Sequence, residues 1–241
     1  MNNLVFDFKG KNVLVVGGSR GIGKAVCEAF LDARANVYCA SRSFSLSNKI
    51  NFIKCDLRSE DDIDSLFITL DSVINKIDFV INVAGTNLCE PIQNIDSQEW
   101  DRVLDINLKS FYLVCKHAIS RMKSHGFGRI VNVSSIAGRN KSIVSGVHYT
   151  SSKAALIGLT RQLSHEVSRF GINVNVTCPS QTMTEMLKES MTSEQILDLE
   201  SKIPIQRIAS VEEQALPILF LCSSAASYIT GAALDINGGQ L

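Results

Sequence analysis

Tyr149 and Lys153 stand four residues apart, and Ala154-Ala-Leu-Ile-Gly-Leu159 after them continues a helical pattern, so both side chains project from one face of one helix. A phenol near its reference pKa of about 10 is a poor base at neutral pH, and a neighbouring ammonium favours the phenolate and draws that pKa towards the working range. Ser135 follows the apolar run Arg129-Ile-Val-Asn-Val133, so its hydroxyl is placed to hydrogen-bond a substrate oxygen beside the tyrosine. The same Tyr/Lys spacing is common on solvated helix faces, and by itself it assigns nothing. His148, next to Tyr149, reads as a loop residue.

A cofactor site is readable upstream. Lys11-Asn-Val-Leu-Val-Val16 is an apolar run suited to a strand buried on both faces, it ends at Gly17-Gly-Ser-Arg-Gly-Ile-Gly23, and a helical pattern follows over residues 24–31. Glycines at a strand-to-helix junction let backbone approach a pyrophosphate, and the helix start supplies unpaired N–H groups; a plain glycine-rich turn is the rival. The next strand, Asn36-Val-Tyr-Cys-Ala40, ends in Ser41-Arg42, and no acid occurs between Asp32 and Asp56. An acid at this strand end would hold the ribose hydroxyl of NAD, whereas a basic group pairs with the 2′-phosphate of NADP. Arg20 and Arg42 are the basic groups available, so NADP(H) is preferred and NAD(H) is possible.

Strand and helix alternate along the rest of the chain. The pattern predicts a strand over 50–55, a helix from Ser59 to about 74, a strand over 78–82, one long helix over about 97–123, the strand into Ser134-Ser135, and a helix over about 148–170. A strand over 172–178, a helix over about 211–223 and a strand over 232–236 complete the series. The connection over 43–49 is too short and serine-rich for a crossover helix, which predicts a loop or single turn. Residues 181–207 read as a helical insertion beyond the carboxyl edge of the sheet, a substrate lid. This describes a single doubly wound, Rossmann-type α/β domain over 1–241, with a mostly parallel seven-stranded sheet. The cofactor-binding half covers about 1–95 and the catalytic half about 96–241.

Composition narrows the function. Apolar residues make up 45% and charged residues 20%, as in a folded soluble protein, and 24 basic residues balance 24 acidic ones, so no field recruits nucleic acid or an anionic membrane. No apolar run is long enough to span a bilayer and the first residues lack signal-peptide architecture, so a cytoplasmic location is expected. The seven cysteines are scattered without a C-x-x-C pair, which reads as reduced buried thiols, and with four histidines they offer no metal-ligand spacing.

With these residues placed, the chain resembles the short-chain dehydrogenase/reductase family over essentially its whole length, and within it the 3-oxoacyl-[acyl-carrier-protein] reductase-like branch. Gly17, Ser19, Arg20, Gly21, Ile22 and Gly23 are similar to the family's cofactor loop, and Asp56-Leu57 to its adenine contact. Asn82-Val-Ala84-Gly85 is similar to its Asn-Asn-Ala-Gly motif, and Pro179, Thr182 and Thr184 match the segment covering the nicotinamide. Asn107, Ser135, Tyr149 and Lys153 match its catalytic tetrad. The resemblance implies that Tyr149 gives or takes the proton and that Lys153 lowers its pKa and holds the nicotinamide ribose. It implies that Ser135 polarises the carbonyl and Asn107 supports a water-linked proton path. The sequence departs from the family at Val16, Val83 and Ser180, and its Ser135-to-Tyr149 gap is one residue longer than in many relatives.

The implied activity is an NADP-preferring oxidoreductase interconverting a secondary alcohol and a ketone, with a 3-oxoacyl thioester as substrate. A dehydrogenase of a sugar, sterol or cyclic diol is the alternative, and a non-catalytic cofactor-sensing scaffold is disfavoured because all four tetrad positions are filled. An acyl carrier protein, being acidic, would want basic residues beside the mouth, for which Arg121, Lys123, Arg129 and Arg169 are candidates. The helices over 97–123 and 148–170 carry an apolar surplus (Phe111, Leu113, Val114, Ile119 and Met122; Leu156, Ile157, Leu159, Leu163 and Val167) that predicts a subunit contact. In the resembling family these helices pair across a two-fold axis and the carboxyl-terminal strand completes a tetramer, so a homotetramer is expected.

Overall fold

The computed structural model describes residues 6–43, 47–142 and 144–241. Seven strands form one sheet in the order β3-β2-β1-β4-β5-β6-β7: β1 Asn12–Val16, β2 Asn36–Ser41, β3 Asn51–Lys54, β4 Phe79–Asn82, β5 Gly128–Val133, β6 Ile172–Pro179 and β7 Ala233–Ile236. Every pairing is parallel, which sharpens the expectation of a mostly parallel sheet. The central strands are buried along their full length, as the unbroken apolar runs Val13-Leu-Val-Val16 and Phe79-Val-Ile81 require of strands covered on both faces.

Two helices cover one face, α1 Gly21–Asp32 and α8 Val211–Cys222, with a core that includes Val13, Val15, Phe30, Phe79, Ile81 and Ile218. The other face carries α2 Glu60–Val73, α4 Ser110–His125 and α5 Val147–Val167, packed through Leu14, Ile63, Phe67, Val114, Met122 and Val174. Ser59 caps α2 by accepting the Asp62 N–H at 3.1 Å, as its place before three acids predicts. The connection read as trimmed, 43–49, includes 44–46, which lie outside the described residues.

Three expectations are corrected. The helix expected over 97–123 is α3 Ser97–Leu104, one π-helical turn over Asp105–Lys109, and α4. The extra residue of that turn re-aims Asn107 into the protein, where it is fully buried. The apolar surplus on the two long helices is absent, because Phe111, Leu113, Val114, Ile119, Met122, Leu156, Ile157 and Val167 are all buried in the subunit's own core and Leu159 and Leu163 are half-buried. Finally, Arg121, Lys123, Arg129 and Arg169 do not flank a mouth at the carboxyl edge of the sheet. Helices crossing a parallel sheet run back towards its amino edge, so the ends of α4 and α5, and the second residue of β5, lie there. Arg121 pairs with Asp71, Arg129 is buried over the Phe127 ring, and Lys123 and Arg169 lie over Phe170.

Six of the seven cysteines are buried and all seven are free; Cys89 is the exposed one. Among the described residues no helix is long and apolar enough to cross a membrane, and no group of three or more His, Cys, Asp or Glu could hold a metal ion.

Candidate active site

The chain leaves β1, builds β2 and β3 on one side, and returns to place β4 on the other, so the loops after β1 and β4 diverge above a crevice at the carboxyl edge. Gly17 forms its wall. It has φ +90, and a Cβ there would lie 2.5 Å from Ala84 Cα, while a Cβ on Gly23 would lie 2.3 Å from the Gly17 carbonyl oxygen. Neither position tolerates a side chain, so the backbone of the loop stays bare beside the start of α1, the donor-rich cradle that a pyrophosphate needs. Thr184 caps the short helix α6 Glu185–Ser190 and reaches this loop, its Cγ2 lying 3.2 Å from where a Gly21 Cβ would be. The segment after β6, which goes on to α7 Ser193–Ser201, therefore meets the glycine loop at Thr184.

The cofactor-site expectations divide by where the side chains point. Arg20, at the start of α1, and Arg42, just past β2, are exposed and face outward. Ser41 is buried and donates to the Ser43 carbonyl at 2.7 Å, so its hydroxyl is already used. Asp56 is gripped by Arg58 at 2.6 Å, and this hydrogen bond, with Arg42 adding to the field, holds its carboxyl down at about 2. Leu57 packs against the core under α2. Asn82 turns inward: its amide donates to Asn132 Oδ1 at 2.9 Å, and Asn132 donates to Thr160 Oγ1 at 2.9 Å, which ties β4, β5 and α5 together. Thr182 is buried and donates to the Ser180 carbonyl at 3.0 Å, and Pro179 ends β6 opposite Ile236.

The four residues converge from three elements. Tyr149 and Lys153 lie on the first turns of α5, Ser135 stands just past β5, and Asn107 sits in the π turn. The Ser135 hydroxyl lies beside the phenol, where it favours the ionised form, and it accepts the Ala137 N–H at 3.1 Å. Asn107 grips both backbone groups of Thr86, accepting its N–H at 2.8 Å and donating to its carbonyl at 2.9 Å, and also donates to Ser152 Oγ at 3.1 Å. Ser152 in turn donates to the Tyr149 carbonyl at 2.7 Å. Gly85 is the common floor, since a Cβ there would lie 3.5 Å from Lys153 Nζ and 3.6 Å from Asn107 Oδ1.

Burial pushes the Tyr149 phenol above its ordinary value, and the Ser135 hydroxyl opposes that shift. Burial also pulls the Lys153 ammonium down to about 8. Both shifts have the same origin, a low-dielectric pocket that disfavours either charge. Sequence reasoning missed His148, which is not in a loop: it is the second residue of α5 and its side chain is fully buried. The signal was available in the glycine at 146, a helix start without a capping side chain.

The sequence model of the family described as enoyl-(acyl carrier protein) reductase matches residues 16–240. The chain is 34% identical over 245 residues to the 3-oxoacyl-[acyl-carrier-protein] reductase of Aquifex aeolicus, covering 96% of this chain and 98% of that one. Among solved structures it is similar to the ligand-free aldohexose dehydrogenase of Thermoplasma acidophilum, with 29% identity, a TM-score of 0.92, and 96% and 94% of the two chains covered. It is also similar to ElxO with NADP bound, with 30% identity, a TM-score of 0.90, and 95% and 98% covered. With a seven-stranded parallel sheet, a bare glycine loop at its switch point and the four-residue cluster at its edge, the chain is an NAD(P)-dependent oxidoreductase that belongs to the short-chain dehydrogenase/reductase family.

Proposed function

We propose that this chain interconverts a secondary alcohol and a ketone using NADP(H), and that its substrate is a 3-oxoacyl thioester. The cofactor supplies or takes the hydride when bound. Tyr149 then gives the substrate oxygen its proton, and burial suits it to do so, because a raised pKa keeps the phenol protonated at neutral pH. Ser135 holds that oxygen beside the phenol. Lys153 holds the nicotinamide ribose and steadies the charge that develops on Tyr149, and Asn107 keeps the loop at Thr86 and the first turns of α5 in register.

The observation that carries the substrate class is the mouth. Leu88, Ile92, Val144 and Val147 are exposed on the loops after β4 and β5 and at the start of α5, and the half-buried Met183 and Met191 flank the lid helix α6. Two hydrogen bonds join the loops, Asn87 Nδ2 to the Val144 carbonyl at 3.1 Å and Gly146 N to the Leu88 carbonyl at 3.2 Å. An aliphatic wall with adaptable methionines suits an acyl chain better than a polyhydroxylated ring, which needs directed donors and acceptors. Identity to a 3-oxoacyl-[acyl-carrier-protein] reductase supports the same reading, and likeness to an aldohexose dehydrogenase keeps a sugar as the alternative. If the thioester is carried on an acyl carrier protein, Lys141 and Lys188, exposed at this edge, are the cations in reach. The NADP preference is supported by Arg42 at the acid-free end of β2 and by Arg20 at the start of α1. Initial rates with NADPH and NADH against acetoacetyl thioesters, aldohexoses and cyclic ketones test the reading: fastest turnover of the thioester with NADPH is expected, and preference for a sugar overturns the substrate assignment.

A further inference from the structure

We infer that His148 is a positioning residue for Tyr149, built into the helix start in place of a cap. The inference rests on Tyr149 as proton donor. The first N–H groups of a helix have no partner within it, and a Ser, Thr, Asp or Asn at the N-cap usually accepts one from the second or third helical residue. The N-cap of α5 is Gly146, which has no side chain to do this. Here the Tyr149 N–H, at the third helical position, donates to Nδ1 of His148 at 2.9 Å. The ring also occupies the space that a capping side chain would take: a Cβ on Gly146 would lie 2.5 Å from His148 Cε1, 2.8 Å from Nδ1 and 2.5 Å from the Leu88 carbonyl oxygen. Glycine at 146 and histidine at 148 thus form one device, a cap delivered from inside the helix to the peptide of the proton donor.

The opposite edge of the ring reaches towards the other half of the site. Because Nδ1 accepts, the proton of the neutral ring sits on Nε2, which is buried without a hydrogen-bond partner and lies 3.7 Å from Glu99 Oε1 on α3. Glu99 is forked by Arg102 at 2.6 and 2.7 Å, and Arg102 Nη1 lies 3.4 Å from Thr86 Oγ1. Thr86 is the residue whose N–H and carbonyl are both bonded by Asn107. Two routes therefore join Tyr149 to Asn107, one through Ser152 and one through His148, Glu99, Arg102 and Thr86. The second is closed by packing at one link, where the buried ring lies against Glu99 at 3.7 Å, and by hydrogen bonds at the others.

Small displacements of a reacting group cost rate more than binding, so the device reads out in kcat. Three variants separate its parts. His148→Ala removes cap and ring, His148→Asn keeps an acceptor where Nδ1 stands, and His148→Gln keeps a donor where Nε2 stands but no cap. Steady-state kinetics and cofactor binding by NADPH fluorescence are measured for each beside Tyr149→Phe. We expect kcat to fall about tenfold or more in the Ala and Gln variants, cofactor affinity to stay within about twofold of wild type, and His148→Asn to recover most of the loss. A kcat in His148→Ala within twofold of wild type overturns the inference, as does an Asn variant as slow as the Gln variant, which also decides the matter if the Ala protein does not fold. An active Tyr149→Phe would instead overturn the proton-donor assignment.

Discussion

Lys153 Nζ donates to the Val133 carbonyl at 2.9 Å and lies 5.7 Å from the centre of the Tyr149 ring, so the ammonium is anchored to the end of β5 rather than to the phenol. Its charge is held in a pocket with no carboxylate bonded to it, which is why burial pulls its pKa to about 8 from 10.5. The folded state thus binds this proton less well than the unfolded chain does. Below about pH 8 both states are charged and the full cost is present, on the order of 3 kcal/mol. Between about 8 and 10.5 the folded lysine releases its proton first, and this contribution to stability rises with pH. Lys153→Met is expected to be more stable than wild type in urea at pH 7 and to lose that advantage by pH 10. An equal difference at both pH values would mean that the lysine is not strained by burial. The same variant is expected to be inactive.

Tyr149→Phe removes the transferable proton and little else, since the ring keeps its packing and the backbone contacts to His148 and Ser152 do not involve the hydroxyl. Turnover is expected to fall by at least about 10²-fold with cofactor affinity nearly unchanged. Retention of more than a few per cent of the rate would remove Tyr149 from its role.

Arg42→Ala is expected to weaken NADPH binding by roughly 1.5–3 kcal/mol, the worth of hydrogen bonds to a charged group, and to affect NADH much less. Because Arg42 also helps hold the Asp56 carboxyl low, equal losses for both cofactors would identify it as a structural charge instead.

A homotetramer remains our proposal, though no longer on an apolar surplus. The middle of α5 turns Ala154, Ala155 and Gly158 outward, a smooth strip that lets a second helix approach, with the polar Arg161, Gln162, His165 and Glu166 exposed beyond it, and Tyr228 beside the last strand is fully exposed. Light scattering at micromolar concentration is expected to give four times the 26.4 kDa of one chain. A mass of one chain would reject the assembly, and a dimer would reject the contact at Tyr228.

Alternation of apolar runs with helical patterns carried the topology, because burial on both faces makes central strands such as β1 and β4 almost wholly apolar. The pairing of Tyr149 with Lys153 was equally readable, since four residues on a helix fix a common face. What escaped was direction within the tertiary structure. Asn82 looks like a cofactor contact by its motif, yet its amide faces Asn132 across the sheet. The π turn at Asn107 adds one residue to a helix without altering its apolar pattern much, and so leaves no periodic trace. His148 was read as a loop residue because the capping role it plays is not one that its residue type advertises. The sorting of Phe111 and Leu156 inward rather than to an interface depends on how far the sheet extends beneath them, which no single helix encodes.

The unequal burial of the thiols gives the protein a built-in clock. Cys89 should react with an alkylating reagent at once, whereas the six enclosed sulfurs wait for the structure to open, so their labelling rates measure the population of open forms directly. Cys27 and Cys39 are especially informative, because both sulfurs lie against Gly18, within 2.6 and 2.9 Å of where its Cβ would be. A ligand that binds only the closed form lowers the open population, and the slowing of labelling this causes converts through the ratio of ligand concentration to dissociation constant into an affinity. Cofactor preference can therefore be ranked by mass spectrometry on this pair with no substrate in hand.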